Sequence, residues 1–527
     1  MSNKSIFKSW VPNWASIAIL FICLTHSMVL LGVYTSNLTY SASFLDVEIE
    51  DLQFSMCVTY GTFLTTILIE TRLFQFFPTK KYFIVIYSLA ALTFILTAYI
   101  ENYALFIILR VAEGILMGLP VVPLRHFLIS RFKSKNAVII GFTVNYGALM
   151  LASPFIMNIA VWLLENYDWK YMAYGSALFQ VMCVALIMIT FEGHRFHRKI
   201  PLYQVDWASS ILLLTAILSG AFFFVYGEKK YWFDSHQIIS ALVLSLITGG
   251  LFIFRQMMLK RPTFDLNVFR YANLRTGLVL SVFFYIARST LNICHSTMFV
   301  IWNWEPSRVA HVQYLNVFGN VIGMFLAGLF LAKALSIRFI FIIGFSLFAV
   351  FHLWFTFLFV PDATLSDIAI PYVLQGVAVG VIFVPLVLFT VSAVPTPFAP
   401  FAGIVGVAGR FWGSMMGFAF IQNAGVYLQH THYSKLIQSV TPESAETQMR
   451  IAQATESFIS KGHTEDNAGQ LALKKIASSV AKQSVLLSNM EIFTVVGYAM
   501  LVIVILLVIN QHIKQTVDIF KNRIWGN

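Results

Sequence analysis

Residues 103–128 read YALFIILRVAEGILMGLPVVPLRHFL, a run that is long and apolar enough to cross a bilayer as one α-helix. Two charged residues, Arg110 and Glu113, lie inside this run and share one helical face, because they are three positions apart. A charge that faces lipid at the bilayer centre costs at least ~2.5–3.5 kcal/mol. The two side chains must therefore pair inside a helical bundle or line a water-filled space.

The rest of the chain repeats this apolar pattern. Of its 527 residues, 58% are hydrophobic and only 11% are charged, which excludes a soluble globular protein. We predict an all-α polytopic membrane protein with 14 transmembrane helices. They are placed near residues 14–34, 53–76, 82–100, 103–128, 137–163, 171–191, 207–226, 236–257, 276–301, 311–332, 338–359, 369–392, 399–427 and 487–510.

Lysine and arginine are concentrated in every second connection between these segments. Basic residues mark the cytoplasmic loops of membrane proteins, so the pattern predicts that both termini are cytoplasmic. The net charge of +11 is interpreted as topology, and no nucleic-acid partner is expected. The cysteines form no close-spaced pair, and no metal or other cofactor is expected.

One outer connection, at about 430–486, is long enough to fold by itself. Thr441, Pro442 and Glu443 are typical of a helix start, and Gly462 of a helix end, so a helix is predicted between them. A second helix is predicted to run from about Asp466 into the last span. This helical hairpin is interpreted either as a lid or spacer, or as a docking surface for a partner protein.

Three predicted spans carry arginine at membrane depth, where polar groups are costly and are usually functional. In the fourth span, Glu113 is interpreted either as a proton-binding acid beside Arg110 or as half of a structural ion pair. Arg410 in the thirteenth span lies on a glycine-rich stripe, which favours packing or gating over substrate contact. Arg288 in the ninth span shares a face with other polar side chains, namely Tyr285, Asn292 and His295.

Other polar residues within spans are weaker candidates. His26 either titrates or is a hydrogen-bonded core histidine. Glu70 is predicted to form a solvated pair with Arg72 near the inner end of the second span. Several amides either line a substrate path or bond between helices, namely Asn145, Asn316, Asn320 and Gln375.

Residues 375–380 (QGVAVG), 383–386 (FVPL), 403–404 (GI) and 409–417 (GRFWGSMMG) form the sharpest motif succession in the chain. With residues 482–489 (KQSVLLSN) and the arginine motif of Arg110, Gly114 and Gly118, this succession resembles the major facilitator superfamily. The resemblance is to its fourteen-span drug:proton antiporters of the EmrB/QacA type, and it covers most of the chain in order.

The resemblance implies a major facilitator fold of two six-helix bundles plus two extra central spans. The bundles would cover residues 1–200 and 271–527, and the extra spans residues 201–270. The family motifs imply a role in helix packing or gating for seven glycine and proline positions and one arginine. They are Gly114, Gly118, Pro154, Gly376, Gly380, Arg410, Gly413 and Gly417. Departures from the family also occur: the loop after span two keeps only Lys80 and Lys81 of its motif, and the usual acid of span one is absent.

The resemblance implies a secondary active transporter of the bacterial inner membrane, not an enzyme, that works by alternating access. Proton-coupled efflux of drugs or other amphipathic compounds is expected, with Glu113, Arg110 and His26 in proton coupling. A periplasmic membrane-fusion adaptor is a candidate partner. Arg288, Asn292 and His295 are expected to face Arg110 and Glu113 across the substrate cavity. The alternative is a transporter of one specific, anionic endogenous metabolite.

Overall fold

The computed structural model describes residues 6–34, 38–195, 199, 201, 202, 205–392 and 394–510. These residues form helices and no β-strand, apart from one isolated bridge between Phe7 and Phe191. The α-helices are α1 (Asn13–Gly32), α2 (Leu38–Leu45), α3 (Ile49–Phe76), α4 (Thr79–Thr97), α5 (Tyr103–Ile129), α6 (Ala137–Asn166), α7 (Trp169–Thr190), α8 (Trp207–Tyr226), α9 (His236–Met258), α10 (Ala272–Ser289), α11 (Leu291–Ser296), α12 (Pro306–Ala332), α13 (Ile337–Thr356), α14 (Leu365–Ser392), α15 (Ala399–Ile437), α16 (Ala445–Ile459) and α17 (Glu465–Ile509).

The described residues contain fourteen helical segments that are long and apolar enough to span a membrane, which confirms the predicted number. The ninth span is not one regular helix: α10 ends at Ser289, α11 follows, and a π-helical turn covers Thr297–Ile301. The predicted termini lie partly outside the described residues, since 1–5 and 511–527 are not described.

Capping residues explain where several spans begin. The side chain of Asn102 accepts hydrogen bonds from the backbone N–H groups of Ala104 and Leu105 at the start of α5. Ser336 caps α13 in the same way, by accepting from the N–H of Phe339. These short polar caps satisfy backbone donors that have no partner within the helix, and they turn the chain back into the membrane.

The buried apolar side chains form two large clusters. One is built mainly by α1 to α8, and the other mainly by α10 to α14 and α17. The helix α15 contributes Val407, Phe411 and Met415 to the first cluster, whereas α6 contributes Phe142 and Tyr146 to the second. These crossing contributions hold the two helical bundles together along α6 and α15.

Hydrogen bonds between connecting segments define one end of the bundle. Tyr226 donates to the carboxylate of Asp51 at 2.5 Å, and the N–H of Ser307 donates to Glu165 at 3.1 Å. The indole of Trp302 donates to the carbonyl of Val360 at 2.8 Å. The helix α16 also lies at this end, which we call the hairpin face.

The other end of the bundle, called here the basic face, carries most of the lysines and arginines of the short connections. Lys80 there donates to the carbonyl of Met188 at 2.7 Å, and Arg338 donates to the carbonyl of Leu507 at 2.6 Å. Both cations bind carbonyl oxygens at helix C-termini, where the helix dipole favours positive charge.

The hairpin helices differ from the predicted ones at one boundary. The helix α16 begins at Ala445 with Ser444 as its N-cap, so the predicted start at Pro442 is wrong by one turn. Pro442 instead precedes the helix, and its carbonyl accepts a hydrogen bond from Gln448 at 2.7 Å. The predicted end is confirmed, because Gly462 has a φ of +92°, which only glycine adopts without strain.

The two extra spans, α8 and α9, are joined at the basic face. Asp206, the N-cap of α8, accepts hydrogen bonds from Ser209 at 2.5 Å and from Arg255 of α9 at 2.9 Å. Burial of the Asp206 carboxyl opposes its ionisation, but the bonds from Arg255 and Ser209 outweigh burial and hold the pKa of Asp206 below its ordinary value.

We expect Asp206→Asn to lower the stability of the protein by about 1 kcal/mol at neutral pH, the usual size of a partly exposed ion pair, because asparagine still caps the helix. The contribution of a carboxyl with a lowered folded pKa is fully present above its unfolded pKa of about 3.9, and is lost as the pH falls through its folded value. Thermal unfolding curves in detergent should therefore differ between the two proteins at pH 7 and converge below about pH 4. A difference that persists in acid would mean that the charge of Asp206 is not its cause.

Candidate functional site

A central cavity of about 370 Å³ lies between the two bundles, in the half of the molecule nearer the hairpin face. Polar residues of α10, α11 and α12 line one side. They are Arg288, Asn292, His295, Gln313, Asn316 and Asn320. The structure thus places five of the predicted cavity residues on this wall, and adds Gln313.

The opposite side of the cavity is built by the first bundle and is less polar. Met150, Ser153, Pro154 and Met157 of α6 line it, at the i, i+3, i+4, i+7 spacing of one helical face. This stripe was missed by the sequence analysis, although its spacing is readable. Pro154, predicted as a packing or gating residue, contributes to the cavity wall itself. The thioether side chains adapt to irregular apolar ligands.

Hydrogen bonds fix the orientation of the polar wall. His295 bonds with Gln313, and Asn316 donates both to Gln375 and to the carbonyl of Tyr372. Gln375 is fully buried behind this wall, so it orients Asn316 and does not line the cavity. Asn145 is also buried away from the cavity. The prediction that these two amides line the substrate path is therefore wrong for this conformation.

Arg110 and Glu113 form an ion pair in which both side chains are 0% exposed. Arg110 also donates to the carbonyl of Leu30 at 2.7 Å and to that of Leu31 at 3.0 Å, near the end of α1. One oxygen of Glu113 has no partner among the described residues. The predicted meeting of this pair with Arg288 across the cavity is wrong, because Arg110 is turned toward α1 and away from the second bundle.

His26 is fully buried between helices and does not line the central cavity. Its Nδ1 lies 2.6 Å from the side-chain oxygen of Gln180, its Nε2 lies 3.2 Å from the carbonyl of Leu116, and its ring packs on Tyr87. Both ring nitrogens therefore have partners. The geometry corresponds to a hydrogen-bonded core histidine, the second of the two interpretations above.

A smaller cavity of about 60 Å³ lies nearer the basic face. Arg410 and Arg125 both line it, and Tyr285 contributes to this cavity as well as to the central one. The Arg410 guanidinium lies 5.2 Å from the ring centroid of Tyr146, close enough for a cation–π contact. Arg125, near the basic-face end of α5, was not singled out in the sequence, yet it lines this cavity.

Within the described ranges, Arg125, Arg288 and Arg410 form no ion pair with a carboxylate. Three positive charges therefore lie along the boundary between the two bundles without a fixed counter-charge. Such groups are costly at membrane depth unless water or a ligand solvates them. The arrangement favours ligands that carry negative charge or hydrogen-bond acceptors.

The predicted solvated pair of Glu70 and Arg72 is wrong. Glu70 is 1% exposed, and one of its oxygens accepts only a 3.2 Å hydrogen bond from the hydroxyl of Thr71. Residues two positions apart in a helix point in different directions, so Arg72 does not reach the Glu70 carboxyl. Glu70 is thus a second buried acid at membrane depth.

Several known proteins are similar to this chain in sequence. No family model matches the chain. The chain is 23% identical to the multidrug export protein EmrB of Escherichia coli K12 over 398 residues, covering 73% of each protein. It is 22% identical to the fatty acid resistance protein FarB of Neisseria gonorrhoeae over 422 residues, which covers 77% of this chain and 79% of FarB.

Solved structures show the same fold. A POT family transporter in complex with 5-aminolevulinic acid matches with a TM-score of 0.59 and 12% identity, over 94% of this chain and 96% of that one. The major facilitator superfamily proton:xylose symporter XylE matches with a TM-score of 0.52 and 12% identity, over 80% of this chain and 91% of XylE. The chain therefore has the major facilitator fold, and its sequence is similar to that of EmrB-type export proteins.

Glycines of the major facilitator motifs bring helices of this protein into close contact. A Cβ atom on Gly114 would lie 2.5 Å from the carbonyl oxygen of Thr59, and one on Gly118 would lie 2.8 Å from the Cβ of Thr66, so α5 packs tightly on α3. A Cβ atom on Gly413 would lie 3.2 Å from the Cβ of Tyr285, and one on Gly417 would lie 2.7 Å from the hydroxyl oxygen of Ser289, so α15 also packs closely on α10. In the same way, Gly376 and Gly380 of α14 contact the backbone of α12.

Proposed function

We propose that this major facilitator protein exports amphipathic compounds in exchange for protons by alternating access. The central cavity carries this proposal, because it joins an apolar, methionine-lined side to a polar side that holds an unpaired arginine. A cavity lined in this way suits a molecule with an apolar body and a polar or anionic group. The relatives named for multidrug export and for fatty acid resistance support the same class of substrate.

The orientation of the protein in the membrane assigns each cavity to one side. The basic face is assigned to the cytoplasm by its lysines and arginines, and the hairpin face to the outside of a bacterial inner membrane. With that orientation the central cavity belongs to the outward-facing half, while the cytoplasmic half is packed around the smaller cavity. In an exporter with this orientation, the central cavity lies on the side to which substrate is released.

Proton coupling is assigned to the first bundle. Glu113 and Arg110 are buried together, and His26 is buried nearby in the same bundle against α5. Protonation of Glu113 would release Arg110 from its ion pair and change how α5 holds α1. Since substrate and protons would favour different conformations, the proton gradient would drive export.

A periplasmic membrane-fusion adaptor is a further proposed partner, bound at the hairpin. The helix α16 is largely exposed, and its charged residues Glu446 and Arg450 pair with each other at 2.7 Å. The hairpin projects from the face that this topology assigns to the periplasm. This proposal fails if deletion of α16 leaves co-purification with such an adaptor unchanged.

A second candidate function is transport of one specific anionic metabolite. It is favoured by the three arginines at the bundle boundary that lack carboxylate partners in the described structure. The two candidates are separated by substrate range. An exporter of amphipaths should lower the accumulation of chemically diverse compounds in cells, whereas a metabolite transporter should affect a single one.

Transport in proteoliposomes tests the proposed function directly. With a pH-sensitive dye inside the vesicles, a proton-coupled exporter should move protons when decanoate or ethidium is added, and only when the protein is present. Proton movement with both compounds supports amphipath export. The absence of proton movement with either compound, from protein that binds them, contradicts proton-coupled exchange.

We expect Arg288→Ala to weaken binding of decanoate about ten- to hundredfold, because a hydrogen bond to a charged group contributes ~1.5–3 kcal/mol. Arg288→Lys should retain part of the affinity, since it keeps the charge but loses the fork of donors. Binding is measured on purified protein by calorimetry. Arg308→Ala is the matched control, because Arg308 is exposed and packs on Trp304 outside the cavity. Equal affinity for decanoate in Arg288→Ala and in the control would show that Arg288 does not contact the substrate.

A further inference from the structure

Glu70 has no role in the mechanism proposed so far. It lies in α3, six residues before the helix ends at Phe76 near the basic face. Its side chain is 1% exposed, its bond from Thr71 is 3.2 Å long, and its other oxygen has no partner among the described residues. It forms no ion pair in the described structure. A carboxyl group this deeply buried with a single neutral hydrogen bond requires an explanation.

The titratable and charged groups around Glu70 come from α4 and α5. Tyr82 of α4 interacts electrostatically with Glu70, but its hydroxyl already donates to the carbonyl of Leu119 at 2.9 Å. Arg125 of α5 is the cation that interacts with Glu70. Arg125 itself lines the smaller cavity together with Arg410. Glu70 is therefore placed just behind the arginine-lined cavity on the basic-face side.

An unpaired carboxylate away from water is far more costly than a neutral carboxylic acid. In the described conformation, where the basic-face half is packed closed, the Glu70 side chain is therefore most stable with its proton bound. Opening of that half would admit water to the smaller cavity. The carboxyl would then lose its proton to that water, and the resulting carboxylate would have Arg125 as its partner.

We propose that Glu70 is a second proton-binding residue of this transporter, which exchanges its proton with the basic-face side, and that Arg125 pairs with its carboxylate after the proton has left. The proposal rests on the proposed proton coupling and extends it to the other half of the molecule. Glu113 lies in the hairpin-face half and has its cation, Arg110, already bound. Glu70 lies in the basic-face half and forms no ion pair with a described residue in the same conformation.

Infrared difference spectroscopy on the full-length protein in lipid tests proton binding without any substrate. A pH titration should show the carbonyl bands of buried, protonated carboxyls, and the band of Glu70 should be missing in Glu70→Gln while that of Glu113 remains. Glu70→Asp should restore a band, and Glu101→Gln, which alters an exposed acid at the hairpin face, should leave the spectrum of the wild type unchanged. An identical band in Glu70→Gln would overturn the proposal.

Transport measured over a range of pH tests the coupling role. With decanoate as the probe, Glu70→Gln should reduce proton-driven transport about tenfold and flatten its dependence on the pH at the basic face, and Glu70→Asp should recover part of both. A purely structural role would lower the amount of folded protein without changing the pH profile, and that result would overturn the coupling role. If the wild-type profile is itself flat, the proposed function fails, whereas the infrared titration still decides whether Glu70 binds a proton.

Discussion

Glu113→Gln is expected to reduce proton-driven transport at least about a hundredfold while substrate binding persists. Glutamine retains a side-chain oxygen that accepts the hydrogen bond from Arg110, but its amide cannot bind and release a proton. The packing of α5 on α1 should therefore survive, because Arg110 still donates to Leu30 and Leu31. Proton movement and calorimetric binding, measured on the same preparation in proteoliposomes and detergent, separate the two effects.

The comparison with Glu113→Ala shows whether the ion pair also stabilises the fold. Both variants leave Arg110 as an uncompensated buried charge, which costs about 3–5 kcal/mol. Alanine also removes the oxygen that accepts a hydrogen bond from Arg110, so Glu113→Ala should unfold at a lower temperature than Glu113→Gln. Coupled transport that is unchanged in Glu113→Gln would mean that the Arg110–Glu113 pair only joins helices and that the proton carrier is elsewhere, with Glu70 and His26 the next candidates.

Gly380→Ala is expected to lower the stability by about 3 kcal/mol, at the upper end for overpacking in a protein interior. A Cβ atom at this position would lie 2.5 Å from the carbonyl oxygen of Asn320 and 2.6 Å from the backbone nitrogen of Met324. Both neighbours are backbone atoms of α12, so they cannot turn away as a side chain can. The two helices would have to separate, and the polar wall that α12 presents to the cavity would move.

Thermal unfolding followed by size-exclusion chromatography measures this effect. Gly328→Ala is the matched control, because Gly328 lies in α12 and has no atom within 4 Å of the added Cβ. The control should unfold like the wild type, or slightly later, since alanine is the better helix former. Equal unfolding temperatures for Gly380→Ala and Gly328→Ala would contradict the close packing of α12 on α14.

Much of the fold was predictable because the bilayer restricts it. A membrane span must be helical and apolar over about 20 residues, and that requirement is readable from local sequence alone. The number of spans, the helix ending at Gly462 and the helix that continues into the last span were predicted on this basis. The polar stripe of Arg288, Asn292 and His295 was readable for the same reason, since helical periodicity fixes which side chains share a face.

The site was only partly predictable because burial depends on the neighbouring helices. Glu70 appeared solvated beside Arg72, yet the packing of α3 buries it without an ion pair. Arg125 lies near the end of a predicted span and was not singled out, yet it lines a cavity. No local pattern distinguishes these cases, because the same charge at the end of a helix can point to water or into a bundle.

The amino-acid sequence alone determined that this chain crosses the membrane fourteen times, and which faces of its helices are polar, because hydropathy and helical periodicity are local properties. Only the tertiary structure decided which polar faces meet. It joined Arg110 to Glu113 and to α1, left Arg288 unpaired in the central cavity, and buried Glu70 near Arg125. The physical reason is that the cost of a charge at membrane depth depends on its partners, and those partners come from helices far apart in the chain.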